Sequence, residues 1–313
     1  MAVLSVALSS VALVRELARD GLRLGVVRAS KGARILSSPK AWYTWFKVVR
    51  VLTTRETQSV VRADPQLVLK HLRTYIGTNL SQHDRSSLLI DHYSFLRHRA
   101  SPEFFRTIVH GRIPLFEHVV GERRYHISVT FLRENHDEGD LSLIFTSDAT
   151  DIYTLSLTIG PGSVAGLEAD RAIYIGRVQG KRDEFQLIRD ATKDCGDISP
   201  AALLLAAAEG VAMALELGHI IGIGADGQIS AASDSRADGL VHSYDEFWIA
   251  SGGIRLVRNM YHLRVPAQEK PIESIKRNHR SRALRKREFR KLVKEQVCRA
   301  FVAEALRTLD DAR

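Results

Sequence analysis

Ala172-Ile173-Tyr174-Ile175-Gly176-Arg177-Val178 is a compact strand-like run, and it leads through Gly180 and a helical stretch, Glu184 to Lys193, to Ser199-Pro200. A serine followed by proline is an N-cap with proline at the first helical position. Ala201 to Leu217 is then apolar nearly all round and ends at Gly218, so it predicts a buried helix with a glycine stop. His219 to Ile223 returns as a strand. A strand, a buried helical connection and another strand make a crossover unit, so Ala172 to Ile223 predicts a β-α-β core with parallel strands.

Before this core, Tyr125 to Phe131, Leu141 to Phe145 and Ile152 to Ile159 are rich in β-branched and aromatic residues and predict strands, with a turn at Asn135 to Gly139. The first third has helical spacing in Leu67 to Leu80 and in Leu88 to Leu96. The fold expected is therefore α+β with an α/β crossover core. A helical region (1–110) packs on a mixed-sheet core (111–265), and a basic amphipathic C-terminal helix (266–313) follows. Met1 to Val14 reads as an amphipathic first helix rather than a secretion signal, because no base precedes it and Arg15, Glu16 and Arg19 follow.

The chain has 313 residues and a net charge of +9. From Lys270 to Arg299 there are twelve Lys or Arg against three Glu, and the remainder holds 33 of each sign, so the basicity is local. Phe289, Leu292, Val293, Val297 and Phe301 predict the apolar stripe of that segment, and Arg280, Arg287, Lys291 and Lys294 its charged back. Such a helix suits an acidic acyl carrier protein, a transfer RNA or an anionic membrane surface. Reversing Arg287, Lys291 and Lys294 to Glu should then abolish association with such a partner and leave thermal stability nearly intact. Two isolated cysteines, Cys195 and Cys298, exclude a disulfide framework and a C-x-x-C metal site, and favour a reducing compartment.

Several motifs are weighed against plainer roles. Gly222-Ile223-Gly224-Ala225-Asp226-Gly227 matches G-x-G-x-x-G, but no amphipathic helix follows to offer its N-terminus, so a turn is expected and not a dinucleotide site. Asp234 to Asp245 resembles a calcium loop with Arg236 at a ligand position, and the histidines show no metal spacing, so no metal is expected. Gln179-Gly180-Lys181-Arg182 ends a strand with glycine and two bases, which suits a phosphate or, more simply, a tight turn. Asp91-His92 and Tyr244 could supply a base and an acid, or could serve capping and packing.

The ordered motifs Leu89-Ile-Asp91-His92-Tyr93, Glu138-Gly139-Asp140-Leu141, Ile173 to Gly180, Ile188 to Lys193, Leu203-Leu204-Leu205, Tyr244-Asp245-Glu246-Phe247-Trp248 and Gly252-Gly253 resemble the VirK/YbjX family of bacterial proteins over roughly Leu88 to Arg290. This chain departs from that family at Asp194 to Ala201, where a His-Gly-x-Arg-Pro-Lys-like stretch is usual. The resemblance implies a cytoplasmic protein associated with virulence or envelope resistance. By analogy of element order, the core resembles a GNAT-type N-acyltransferase. On that analogy Gln179, Gly180, Lys181 and Arg182 meet an acyl-CoA or acyl carrier protein donor. Asp91, His92 and Tyr244 then serve acyl or aminoacyl transfer from a CoA, carrier-protein or tRNA donor to an amine or hydroxyl. The alternative is a non-catalytic factor binding RNA or anionic membrane through its basic helix. The two differ in whether the strands part at Val178 and at His219.

Overall fold

The computed structural model describes residues 38–131, 136–230, 237–269 and 271–307. Met1 to Val14, and with it the expected first helix, lies outside them. The helical opening is α1 (Pro39–Leu52), α2 (Gln58–Ala63), a 3-10 helix (Pro65–Leu72), α3 (Gln82–Arg99) and α4 (Phe104–His110). Ser81 and Asp84 close a reciprocal capping box on α3. Helical structure expected to Leu80 stops at Leu72, because the chain turns inward: Tyr75 and Ile76 are buried, and Ile76 has a positive φ of 62°.

Four antiparallel strands follow, β1 (Ile113–Val120), β2 (Arg123–Thr130), β3 (Leu141–Ser147) and β4 (Thr150–Pro161). Next come β5 (Arg171–Gly180), α5 (Phe185–Asp194), α6 (Pro200–Ala214) and β6 (His219–Ile223), with β5 and β6 parallel. The chain ends in α7 (Ala237–Ala250), β7 (Ile254–Arg255), β8 (Met260–Arg264) and α8 (Arg280–Ala305). The mixed eight-stranded sheet has the order β1-β2-β3-β4-β5-β6-β8-β7, an α+β arrangement around the expected crossover. Strands β7 and β8 were not legible, being short and half polar.

The sheet is covered on both faces, so β3 is buried at every position. Alternation sorts the faces. Leu141, Leu143, Phe145, Leu155, Leu157 and Ile159 lie on the face where Phe116 and His118 of β1 meet Phe289 of α8. The opposite face carries Ser142, Ser156 and Thr158, and there Gly160 lies against Leu88 of α3. Helix α6 is buried almost all round, as expected, and α8 crosses it closely at Gly210, where a Cβ would stand 2.6 Å from the Lys294 carbonyl oxygen.

Candidate functional site

Strands β5 and β6 pair only through Ile173–Ile220, Tyr174–Ile221 and Ile175–Gly222. Beyond Ile175, β5 continues on β4 alone. Arg177 faces Ser156 and Ile175 faces Leu157, so Gly176 is the extra residue of a β-bulge. Glycine is required, because a Cβ would overlap the carbonyl oxygens of Glu138 and Ile76. Past the bulge the Val178 N–H is donated to the Tyr244 hydroxyl at 3.3 Å and not to β6. On the β6 side, the Ile223 carbonyl accepts from the Trp248 indole at 2.9 Å and from Gln228 at 2.7 Å.

Tyr244 and Trp248 are one turn apart on α7, which wedges both side chains into the gap. Gly222 makes room, since a Cβ there would overlap the Trp248 ring. The parting is therefore at Val178 and Ile223. His219, at the other end of β6, stays paired with Arg264 and bonds His262 at 2.9 Å. Beside the wedge, between β4, β5, α7 and the start of α6, is a cavity of about 180 Å³ lined by Tyr153, Val178, Ala201, Tyr244 and Phe247. Burial pushes the Tyr244 phenol up to about 12, with Glu138 adding to the rise and the Val178 N–H and Arg177 opposing it. The hydroxyl is protonated near neutral pH, and while its oxygen accepts from Val178 its proton is left to donate. Across the sheet from this cavity, Arg177 pairs with the buried Glu138 at 3.0 Å. Glu138 Oε1 and Arg177 Nε have no hydrogen-bond partner among the described residues.

Asp91 and His92 are elsewhere. Asp91 takes a bidentate bond from Arg171 at 2.9 and 3.1 Å. Arg171 begins β5, about 23 Å along the strand from Val178 at roughly 3.3 Å per residue. His92 is fully buried, and its Nδ1 accepts the Ile159 N–H at 3.0 Å. The β3 ladder ends at Leu141 opposite Leu157, so Ile159 has no strand neighbour on that side and the imidazole replaces one. Burial holds His92 down to about 4. The structure does not bring either residue to Tyr244.

His92 instead borders a buried polar cluster that sequence reasoning missed. Asp140 accepts from Lys70 at 2.7 Å, from Thr158 at 2.6 Å, from Tyr93 at 3.3 Å and from Tyr75. Burial pushes Asp140 up, but Lys70, His92 and the hydrogen bonds from Lys70 and Thr158 outweigh it and carry it down to about 2. The one clue was Asp140 following Glu138-Gly139; nothing local marked Lys70 as buried.

Gln179 and Gly180 remain on the β4 ladder opposite Thr154 and Tyr153, and the Lys181 N–H goes to the Ile152 carbonyl at 2.9 Å. Gly180 serves close packing, since a Cβ would meet Tyr153 and Ile188 at 3.0 Å. The Lys181 and Arg182 side chains are exposed past the strand end, followed by Asp183 and Glu184 before α5 begins.

On α8 the four predicted partner residues divide. Arg280 donates to the carbonyls of Ile275 and Glu273, Arg287 pairs with Glu269 at 2.9 Å, and Lys294 pairs with Glu209 at 3.3 Å. Lys291 is exposed and reaches Glu295 at 3.8 Å. Leu292, expected in the apolar stripe, is outside it, and Val293, Val297 and Phe301 form the buried seam. A groove of about 320 Å³ runs between α6, the end of α7 and α8, with Ala202, Lys286 and Arg290 on its walls, one residue along α6 from the Ala201 cavity. Burial first, then Arg282 and Arg290, push the Lys286 pKa down.

Gly224 and Gly227 surround a 3-10 turn, Ala225–Gly227, capped by Asp245 Oδ1 at 2.8 Å from the Ala225 N–H, which is the turn expected there. Asp234 and Arg236 of the calcium-like stretch lie outside the described residues. Among the described residues no group of three metal-ligating side chains is assembled, and no helix is long and apolar enough to cross a membrane.

The chain is 26% identical over 317 residues to a protein of Escherichia coli (strain K12) described as "Uncharacterized protein YbjX", covering 95% of this chain and 92% of that protein. No solved structure matches it. A family model described as "Protein of unknown function (DUF535)" matches residues 32–299, and the chain thus belongs to that family, in which YbjX is the relative its motifs resemble.

Proposed function

We propose that the protein is an acyltransferase of the GNAT type, working on a thioester donor in the cavity at the parted strands. The observation that carries this is the Val178 N–H, turned away from β6 toward Tyr244 at the wall of that cavity. A backbone donor beyond a bulge is rigid, and aimed at a thioester carbonyl it stabilises the negative charge that grows on the oxygen during attack. In this reading the carbonyl takes the place of the Tyr244 oxygen on Val178. The acceptor amine or hydroxyl forms a bond to the carbonyl carbon as the carbon–sulfur bond breaks. Tyr244 gives its proton to the departing thiolate and regains one from the acceptor through solvent.

The donor fit is uneven. A small acyl group and a neutral pantetheine arm suit the cavity and the edge of β5 that β6 leaves unpaired beyond Ile175. A pyrophosphate suits the turn less, because Asp183 and Glu184 stand beside Lys181 and Arg182. A carrier protein presents one phosphate and an acidic surface, which matches Lys181, Arg182 and Lys286 of the adjoining groove, where Arg287, Arg290 and Lys294 are held by Glu269 and Glu209. A second reading, a non-catalytic factor binding RNA or anionic membrane through α8, is favoured by the exposure of Arg282, Arg285, Lys291 and Arg299 on that helix.

Calorimetry with acyl-CoA and with acyl carrier protein tests the first reading, using the double variant Lys181→Ala, Arg182→Ala. Binding should weaken by about 1–3 kcal/mol if those side chains hold the phosphate. Absence of binding by both donors would remove the acyltransferase reading.

A further inference from the structure

Helix α1 turns an aromatic, basic face to solvent. Val48, Val49 and Leu52 are buried against the fold, while Trp42, Tyr43 and Phe46 are 49%, 56% and 39% exposed. Trp42 and Phe46 stack one turn apart, with centroids 5.9 Å apart. The Lys47 ammonium stands 4.5 Å above the Tyr43 ring. The helix carries Lys40, Lys47 and Arg50 and no acid. Three neighbouring exposed aromatics are costly in water unless something covers them. Tryptophan and tyrosine favour the boundary between headgroups and acyl chains, where lysine and arginine stems reach back to phosphate.

We infer that α1 lies flat on an anionic lipid surface, with Trp42, Tyr43 and Phe46 in the headgroup boundary and Lys40, Lys47 and Arg50 on lipid phosphates. Charge selects this occupant over two others. A second copy meeting α1 about a twofold axis would bring two sets of three bases together. Residues 1–37, which precede the helix, hold six Lys or Arg against two acids, so their charge matches that of α1 and does not complement it, whereas an anionic surface complements both. The outer face of α8 differs, since Glu288 and Glu295 interrupt its bases and no aromatic is exposed there. The inference is independent of acyl transfer.

Intrinsic fluorescence of the full chain reads the site directly. Of the three tryptophans, Trp248 is fully buried and Trp45 partly so, leaving Trp42 to respond. Vesicles containing phosphatidylglycerol should shift the emission to the blue, shield it from iodide and carry the protein in flotation, an effect that falls with salt. Pure phosphatidylcholine vesicles should do so at least tenfold more weakly. Trp42→Ala with Tyr43→Ala and Phe46→Ala should cut flotation at least tenfold with the melting temperature unchanged, as should Lys40→Glu with Lys47→Glu and Arg50→Glu. Reversal of Arg282, Arg285 and Lys291 on α8 should leave it intact. The proposal is overturned if flotation is absent at low salt, if it survives the aromatic variant, or if the α8 reversal alone abolishes it. It is also overturned if iodide fails to quench Trp42 without lipid, or if sedimentation shows a dimer that the aromatic variant dissociates.

Discussion

Two side chains show how a local signal acquires its meaning from a strand end. His92 beside Asp91 has the composition of an acid–base pair, yet neighbouring helical residues point apart, and His92 completes the exposed ladder of β4 by accepting the Ile159 N–H. His92→Leu leaves that donor buried and unpaired and should cost about 1–3 kcal/mol in chemical unfolding. Tyr244 meets a strand end as well, on Val178, but at the wall of a cavity. Tyr244→Phe leaves the Val178 N–H without its acceptor in the same way and should likewise cost about 1–3 kcal/mol of stability. If the phenol donates to the leaving group, the same change should lower kcat about 10²–10⁴-fold, and an unchanged kcat in a steady-state assay would remove Tyr244 from the chemistry.

Helix α8 corrects the expectation that its charged back is free. Lys294 lies over Glu209, both side chains only 13% and 11% exposed, and Arg287 is held by Glu269. Lys294→Glu would place two carboxylates in a half-buried site and should destabilise the fold by about 3 kcal/mol or more, whereas Lys291→Glu, on the exposed side, should stay within about 0.5 kcal/mol. A triple reversal therefore confounds binding with folding, and Lys291, Arg285 and Arg282 are the positions that separate them. The α6–α8 crossing makes a second demand. Gly210→Val would push side-chain carbon into the Lys294 carbonyl and Val297 and should cost about 1–3 kcal/mol or more, read as a lowered melting temperature.

The whole molecule should lose stability to acid in two stages. His71 and His92 are both held down to about 4 by burial, against 6.5 in the unfolded chain. Above pH 6.5 neither state binds the proton and the two residues have no effect. As pH falls from 6.5 toward 4 the unfolded chain takes up protons that the fold refuses, at a cost on the order of 3 kcal/mol for each histidine. Asp140, held at about 2 against 3.8, works in the carboxylate sense: its contribution is present above pH 3.8 and is lost as pH falls toward 2. Urea midpoints measured from pH 7 to 2.5 should therefore fall first between 6.5 and 4, then again below 3.8, with His92→Leu reducing the first decline. A flat midpoint between 6.5 and 4 would contradict the burial of both imidazoles.

The crossover from β5 to β6, the meander before it and the buried helix α6 could be read from residue order, because hydrophobic periodicity, an Ser-Pro start and a glycine stop act over a few neighbouring positions. The basic segment and Gly176 were equally visible. Pairings between distant residues were not: Lys70 with Asp140, Asp91 with Arg171, and Lys294 with Glu209 depend on which faces meet after the chain has turned many times. Period-two alternation separates two faces of a strand but says nothing of what covers each, so the polar Ser142, Ser156 and Thr158 could not be assigned to the buried side facing the N-terminal helices. The same holds for the candidate site. Tyr244 was legible as a residue, and its role rests on α7 entering the gap beyond Ile175, a contact set by packing across the sheet and not by any neighbour in sequence.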